Sequence, residues 1–402
     1  MGKYWYLLHD PGIRLWNLSS EERLGRVLRG LGFEQRLEDL QQLPESSSVL
    51  FVRGDFLFDE RVLQTLGKEM NLVFQVQNQN TVIPVASHVE AGKAQMALEG
   101  LLAGRVDSMQ GVRTIGLNDL SSTFSKTLKK TNAPFVLPIR LKDKDSLEEQ
   151  LFAGSYKGVT DLVTKFLWPL PAKWVTRFCA NQGIRPNHVT ALSFVLAIAA
   201  GVLFWKGELL WGLLLGWFMT FLDTVDGKLA RVTITSSWWG NIFDHGIDLI
   251  HPPLWYWAWG MGLVSFSPDL LGLSPGSLIA VIVAGYIVGR LVEGFWHLVV
   301  AKFGIFLWRP FDSFFRLVTA RRNPNLIFLT CSVVAGRPDM GLEMVAVWTV
   351  ISSVILLLRF MMGMWSKLRG DSPRSWLTEI DPGKDRSVLA VRVFTNPPAT
   401  AE

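Results

Sequence analysis

The sequence predicts a two-part protein: an α/β N-terminal domain, doubly wound, followed by an all-α transmembrane domain of six helices. Three observations predict this. Of the 17 tryptophans, only Trp5 and Trp16 lie in the first 167 residues, and the rest fall between Trp168 and Trp376. Tryptophan concentrates at membrane interfaces because its ring is apolar and its N–H is polar. Residues 1–156 alternate short apolar runs with a capped helix, whereas six apolar stretches succeed one another from residue 189 onward. The chain therefore divides into a domain at 1–156, an interfacial juxtamembrane helix or linker at 157–186, a six-span domain at 187–366 and a polar tail at 367–402.

In the first domain, residues 4–8, 49–53, 72–76, 81–85 and 135–139 have the length and apolar character of strands. Between the first two runs, Ser19 stands three residues before Glu22, the spacing of a capping box. Leu24, Val27, Leu28 and Leu31 continue that helix and Gly32 ends it. Such alternation predicts a mainly parallel sheet, which binds ligands at the carboxyl ends of its strands. His9–Leu15 and Gly54-Asp55 occupy that position.

Six stretches read as spans: 189–205, 209–222, 247–264, 278–301, 325–336 and 344–365. Crossing takes about 20 residues, so the shorter runs must recruit polar ends. The run at 325–336 in particular needs a start near Phe314. With the N-terminus in the cytoplasm, nine basic residues lie on the inner connections (Lys228, Arg231, Lys302, Arg309, Arg316, Arg321, Arg322, Lys367, Arg369) and two, Lys206 and Arg337, on the outer ones. This bias predicts that both termini are cytoplasmic. Residues 157–183 interleave Phe166, Trp168, Trp174 and Phe178 with Lys165, Lys173 and Arg177, and Pro169 and Pro171 interrupt them. That pattern predicts an interfacial helix bent or broken at the prolines.

The composition excludes several classes. Half the chain is apolar (49%) and 19% is charged, and mean hydropathy is +0.25, which fits neither a disordered chain nor an ordinary soluble enzyme. The net charge of +5 is mild, and without a basic stripe in the first domain no nucleic-acid partner is expected. Cys179 and Cys331 read as unpaired thiols. Met1–Tyr6 has no apolar h-region, and Tyr6 breaks a myristoylation pattern.

Chemistry concentrates in two segments. The second span runs into Asp223-Thr224-Val225-Asp226-Gly227-Lys228-Leu229-Ala230-Arg231, and the third begins Gly240-Asn241-Ile242-Phe243-Asp244-His245-Gly246-Ile247-Asp248. Asp223 and Asp226 are spaced i, i+3 and Asp244 and Asp248 i, i+4, so each pair shares a helix face. Four converging acids repel, and two hard divalent ions, Mg2+ or Mn2+, would balance them and clamp phosphates. Gly227 and Gly240 clear space for a diphosphate, and Arg231 can offer it two parallel hydrogen bonds. The other side of the site is read from Arg290 and Glu293 inside the fourth span and from Arg316, Arg321 and Arg322 before the fifth. These arginines are expected to hold a phosphate of the acceptor or of the donor lipid. The rival readings are an Arg290–Glu293 ion pair and, for Arg321 and Arg322, anchoring to lipid phosphates.

Residues 223–248 fit D-x2-D-G-x2-A-R-x8-G-x3-D-x3-D without a departure, and this segment is identified as a member of the CDP-alcohol phosphotransferase family. The resemblance extends over about 183–365 and includes Pro186-Asn187-His188-Val189-Thr190. It implies a six-helix membrane fold, often dimeric, in the cell membrane. It implies that Asp223, Asp226 and Asp244 bind the metals and that Asp248 is the general base, touching the second metal. Asp223, Asp226, Gly227, Ala230, Arg231, Gly240 and Thr190 would then bind CDP. The partners are a CDP-linked donor (CDP-diacylglycerol or a CDP-polyol), an alcohol acceptor and membrane lipids. His245 is read as packing or a second layer around the site.

The first domain resembles nucleotidyltransferases, Rossmann-like domains with a Gly-rich loop ending in Arg-Leu and a metal-binding Asp after a later strand. Here the loop keeps only Gly12, Arg14 and Leu15, Asp10 and Pro11 disfavour a phosphate, and no catalytic lysine is evident. The expectation is an inactive scaffold. The full architecture resembles bifunctional inositol-phosphate cytidylyltransferase and di-inositol-phosphate-phosphate synthase, so a bifunctional enzyme stays open. A divalent-cation transporter is the remote alternative; its acids would lie near the midplane rather than at span ends.

Overall fold

The fold is that of a computed structural model, which describes residues 2–78, 81–105, 109–120, 124–125, 128–236, 238–263, 271–380, 384–385 and 387–395; the side chains of 78, 239, 241 and 243–245 lie outside that description. The first part is α/β. In chain order it contains β1 (Lys3–Leu8), α1 (Ser20–Gly30), β2 (Gln35–Leu37), β3 (Ser48–Arg53), β4 (Phe56–Phe58), α2 (Glu60–Lys68), β5 (Leu72–Asn78), β6 (Thr81–Glu90) and α3 (Ala94–Ala103). β7 (Arg113–Ile115), β8 (Phe124–Ser125), β9 (Lys130–Thr131), β10 (Val136–Pro138) and α4 (Lys144–Gly154) complete it. α1 begins as its sequence dictates: Ser19 accepts from the Glu22 amide while Glu22 accepts from the Ser19 amide, which satisfies two orphan donors. Its apolar side docks Leu24 and Leu28 onto Trp5, Leu50 and Phe74 in the core.

The sheet order is β2-β1-β3-β6-β5-β7. The expected mainly parallel sheet is mixed. β1 pairs in parallel with β2 and β3, and β5 with β7, but β6 runs antiparallel to both neighbours. β5 and β6 are joined by a short reversal, and a connection that short cannot carry the crossover that a parallel pair requires. The run at 135–139 also leaves the main sheet, because β10 pairs with β4.

The second part is helical: α5 (Pro169–Asn181), α6 (Pro186–Trp205), α7 (Leu209–Val232), α8 (Trp238–Gly262), α9 (Pro275–Phe295), α10 (Pro310–Val318), α11 (Arg322–Val334), α12 (Pro338–Leu368) and α13 (Leu389–Phe394). Among the described residues four helical stretches are long and apolar enough to cross a membrane: Pro186–Trp205, Leu209–Val232, Pro275–Val300 and Pro338–Leu368. α8 carries Pro252 and Pro253. The expected fifth span does not start near Phe314. The chain breaks between α10 and α11, where Thr319 leaves helical geometry and Arg321 is extended. α11 alone has 13 residues, short of the roughly 20 that a full crossing takes.

Other expectations meet mixed outcomes. The juxtamembrane helix does break at proline: α5 starts with Pro169 in its first turn, where the missing N–H costs nothing. It exposes Leu170, Trp174 and Phe178. Trp255 and Trp259 of α8 are buried, at 4% and 0% exposure. They pack with Phe204 in the helical core. The tail is not simply polar. It includes helix α13, and Phe394 and Trp376 are buried with Phe306 and Trp308. Both cysteines are free.

The two parts meet through side chains. Trp16, 1% exposed, stacks on Phe152 of α4 and donates from Nε1 to the Glu148 carbonyl (2.9 Å). It shares a core with Ala172 and Cys179 of α5 and with Phe221, Leu222 and Val225 of α7. Trp16, which directly follows the segment read as a nucleotide loop, is thus a clamp between the two parts. After the second strand run, Asp55 is held in a bidentate pair by Arg53 (3.0 and 2.6 Å).

Candidate active site

The motif residues sit at the C-terminal end of α7 and the N-terminal half of α8. Asp226 is 4% exposed, and its Oδ2 accepts from Thr190 Oγ1 of α6 at 2.6 Å. The same hydroxyl lies 3.1 Å from the Pro186 carbonyl one turn back in α6, so its single proton has two acceptors within reach, the carboxylate being the nearer. Asp223 Oδ2 accepts from Arg322 Nη2 at 2.5 Å, and Asp248 Oδ1 accepts from Arg322 Nη1 at 2.6 Å. One guanidinium at the start of α11 therefore joins the acids of α7 to that of α8. A further tie is Tyr286 of α9, whose hydroxyl donates to the Leu249 carbonyl at 3.0 Å. Asp244 lies on α8 as expected, with its side chain outside the described residues, as is that of His245.

At Gly227 the neighbour is a side chain of the same helix. A Cβ there would stand 3.1 Å from Arg231 Nη2, so glycine lets that guanidinium fold back along the helix. Arg231 Nε donates to the Ser155 carbonyl at 2.7 Å. Beside it, buried Lys228 places Nζ 3.5 Å from the centre of the Tyr156 ring. Sequence reasoning missed Ser155, Tyr156, Lys228 and Tyr286. Nothing in the local pattern marks them, because each acts across a contact between distant segments.

The acceptor-side arginines divide. Arg322, grouped with them from sequence, turns to Asp223 and Asp248. Its neighbour Arg321 turns the other way and pairs with Glu293 of α9. Glu293 therefore has Arg321 as its ion-pair partner, in place of the Arg290 pair. Arg290 and Arg321 line a cavity of about 20 Å3 with Tyr286, Glu293 and Ser352. Arg316 and Arg321 lie against the ring of Phe306 at 5.6 and 5.4 Å, and Arg316 Nη1 is buried without a hydrogen-bond partner.

Among the described residues no three histidine, cysteine, aspartate or glutamate side chains form a ready metal cluster. The donor chemistry nevertheless fits hard cations. Asp223 and Asp248 already converge on one positive group, all the donors are carboxylate oxygens, and Asp226 is adjacent on α7.

Residues 184–321 match the CDP-alcohol phosphatidyltransferase family. The chain carries a CDP-alcohol phosphatidyltransferase domain. Its segment is 29% identical over 125 residues to the phosphatidylinositol phosphate synthase of Streptomyces avermitilis, covering 29% of this chain and 49% of that protein. It is 34% identical over 79 residues to the archaetidylinositol phosphate synthase of Pyrococcus horikoshii, covering 19% and 42%. The chain thus spans about half the length of these curated relatives or less. Among solved structures, the Mycobacterium tuberculosis phosphatidylinositol phosphate synthase with CDP-DAG bound superposes with a TM-score of 0.34 at 20% identity, over 46% of this chain and 91% of that one.

Proposed function

We propose that this protein is an integral-membrane, divalent-metal-dependent transferase. It moves a phosphatidyl-type group from a CDP-linked donor to an acceptor hydroxyl and releases CMP. The observation that carries this reading is the joining of Asp223 and Asp248, from two helices, through one guanidinium beside Asp226. In this reading Asp223, Asp226, Asp244 and Asp248 hold two ions, Mg2+ or Mn2+, which would supply the positive charge that binds a diphosphate. Gly227, Ala230, Arg231, Gly240 and Thr190 form the walls of the CDP site.

Asp248 takes the proton from the acceptor hydroxyl. The alkoxide oxygen forms a bond to the β-phosphorus, the bond from that phosphorus to the bridging oxygen breaks, and CMP leaves with the electron pair. Arg231 donates hydrogen bonds to the charge that develops there. Asp248 suits the base role, since its side chain is 43% exposed and an acceptor can reach it. Both curated relatives are named for a phosphorylated inositol lipid, which fits a phosphorylated acceptor held by Arg290, Arg321 and Arg316.

The α/β domain acts as a scaffold. Trp16, next to its loop, packs against α4 and the helices, and Asp55 is paired with Arg53. If it were instead a working cytidylyltransferase, the full-length protein would release pyrophosphate from CTP and an alcohol phosphate. The bias of basic residues supports a cytoplasmic site and cytoplasmic termini in the cell membrane, and the family supports a homodimer. Transport of divalent cations is the weaker reading, because the acids share a motif with Gly227, Gly240 and Arg231 that suits a diphosphate.

The test is release of CMP by the purified protein from CDP-diacylglycerol and inositol phosphate. We expect strict dependence on Mg2+ or Mn2+, and a loss of about 10²-fold or more in Asp248→Asn. Activity that persists in Asp248→Asn would remove the base assignment.

A further inference from the structure

A cavity of about 900 Å3 lies between the α/β domain and the C-terminal end of α7. Its volume is in the range of small-molecule sites. Its polar wall comes from both parts: Ser20 and Arg26 of α1, Arg61 of α2, Lys130 of β9, and Arg231 of α7. Arg23 and Lys68 also line it, so six cationic side chains face two carboxylates, Asp59 and Glu60. Asp59 is bound bidentate to Arg61 at 2.8 and 2.7 Å. Phe56, Phe58 and Phe135 add an apolar, aromatic part to the lining.

Two details point to a ligand. Lys130 is 1% exposed, and its Nζ donates to two neutral carbonyls, Gly154 at 2.7 Å and Ala153 at 3.3 Å. Burial, with repulsion from Arg231 and Lys165, pushes its pKa down to about 7. An anion beside the ammonium would reverse that penalty. Independently, Ser20 Oγ is buried, lines the cavity and has no hydrogen-bond partner. A buried hydroxyl of that kind costs free energy unless a ligand or water meets it.

The cavity adjoins the motif site and shares Ala230 and Arg231 with it, but it lies off the aspartates. None of Asp223, Asp226 and Asp248 lines it, and neither does the loop at 9–15 nor Asp55.

We propose that this cavity is a second ligand site, which takes a small soluble phosphomonoester. Its phosphate is held by Arg26, Lys130 and Ser20 Oγ, and its body lies on the aromatic wall. Charge-assisted hydrogen bonds from two cations suit a phosphate dianion. Because Arg231 lines the same cavity, occupancy bears directly on the motif helix. The inference does not depend on the transfer reaction.

The experiment is calorimetric titration of the full-length protein in detergent, in EDTA, so that no divalent ion can hold phosphate at the aspartates. The probes are inorganic phosphate and CMP, with phosphatidic acid in mixed micelles as the lipid arm. We expect saturable binding of CMP, with phosphate weaker. Arg26→Gln, Ser20→Val and Lys130→Gln should each weaken CMP binding at least tenfold, whereas Arg113→Gln, at an exposed residue outside the cavity, should not. Arg26 is only partly buried, so its variant keeps the test decisive if Lys130→Gln fails to fold. No binding in EDTA, binding indifferent to Arg26→Gln, or binding of phosphatidic acid alone would each overturn the proposal.

Discussion

Arg322 and Arg321 are adjacent in sequence and serve opposite sides of the helical part. Consecutive residues where a chain enters a helix point in different directions, so Arg322 meets Asp223 and Asp248 while Arg321 meets Glu293. Two carboxylates brought together need a cation, and without metal the guanidinium is what they hold. Replacing Arg322 with Gln leaves those charges uncompensated, at a cost of about 1–3 kcal/mol, below the fully buried case because Asp248 is 43% exposed. The unfolding temperature in EDTA should therefore drop. Millimolar Mg2+ should narrow the gap to the parent protein, since ions at the same carboxylates would take over the neutralisation. A deficit equally large with and without Mg2+ would mean that Arg322 serves packing alone.

At the scale of elements, helix contacts are set by small residues and by helix ends. Gly285 and Gly289 form a G-x3-G pair on α9 against α12: a Cβ on Gly285 would come within 2.6 Å of Thr349 Cγ2, and one on Gly289 within 3.7 Å of Leu356 Cδ1. Close approach of this kind is how membrane helices associate when no hydrophobic force draws them together. Gly285→Leu should destabilise by about 1–3 kcal/mol through overpacking, while Gly289→Ala should be tolerated. Thermal unfolding in one detergent compares the two, and equal effects would count against this interface. The C-terminal end of α7 is met differently. Arg23 donates to the Val232 carbonyl at 3.1 Å and Arg26 to that of Thr233. Cations are favoured at that end because its carbonyls are unsatisfied and its dipole is negative. Helix α1 thus fixes the end of the helix that carries the motif.

In the whole molecule, several separated segments join the α/β domain to the helices. Trp16 of the first part packs in a core with α5 and α7. Thr131 Oγ1 donates to the Leu377 carbonyl. Glu148 of α4 accepts from Arg177 of α5 at 2.5 Å. Trp16→Ala removes the largest of these contacts, at about 3–5 kcal/mol, and with it the clamp between the parts. Limited proteolysis of that variant should release an N-terminal fragment of about the first 156 residues faster than the parent does; equal rates would sink this account of the junction.

Much of this was legible from residues in order. The capping box at Ser19 and Glu22, the strand runs, the break at Pro169 and the spacing of four aspartates are local patterns, and local geometry follows directly from them. The antiparallel β6, the break between α10 and α11 and the helix α13 were not legible. Each depends on what the segment meets: a short β5–β6 connection that must reverse, arginines with separated carboxylate partners, and an aromatic core that receives Phe394. By itself the sequence determined the two-part division, the motif and the acids available for chemistry, because composition and helical spacing act over a few residues. Only the tertiary structure decided that Arg322 joins Asp223 to Asp248, that Trp16 clamps the two parts together and that Arg231 lines a cationic cavity. Those depend on contacts across tens to hundreds of residues, whose energies arise only once the chain has folded.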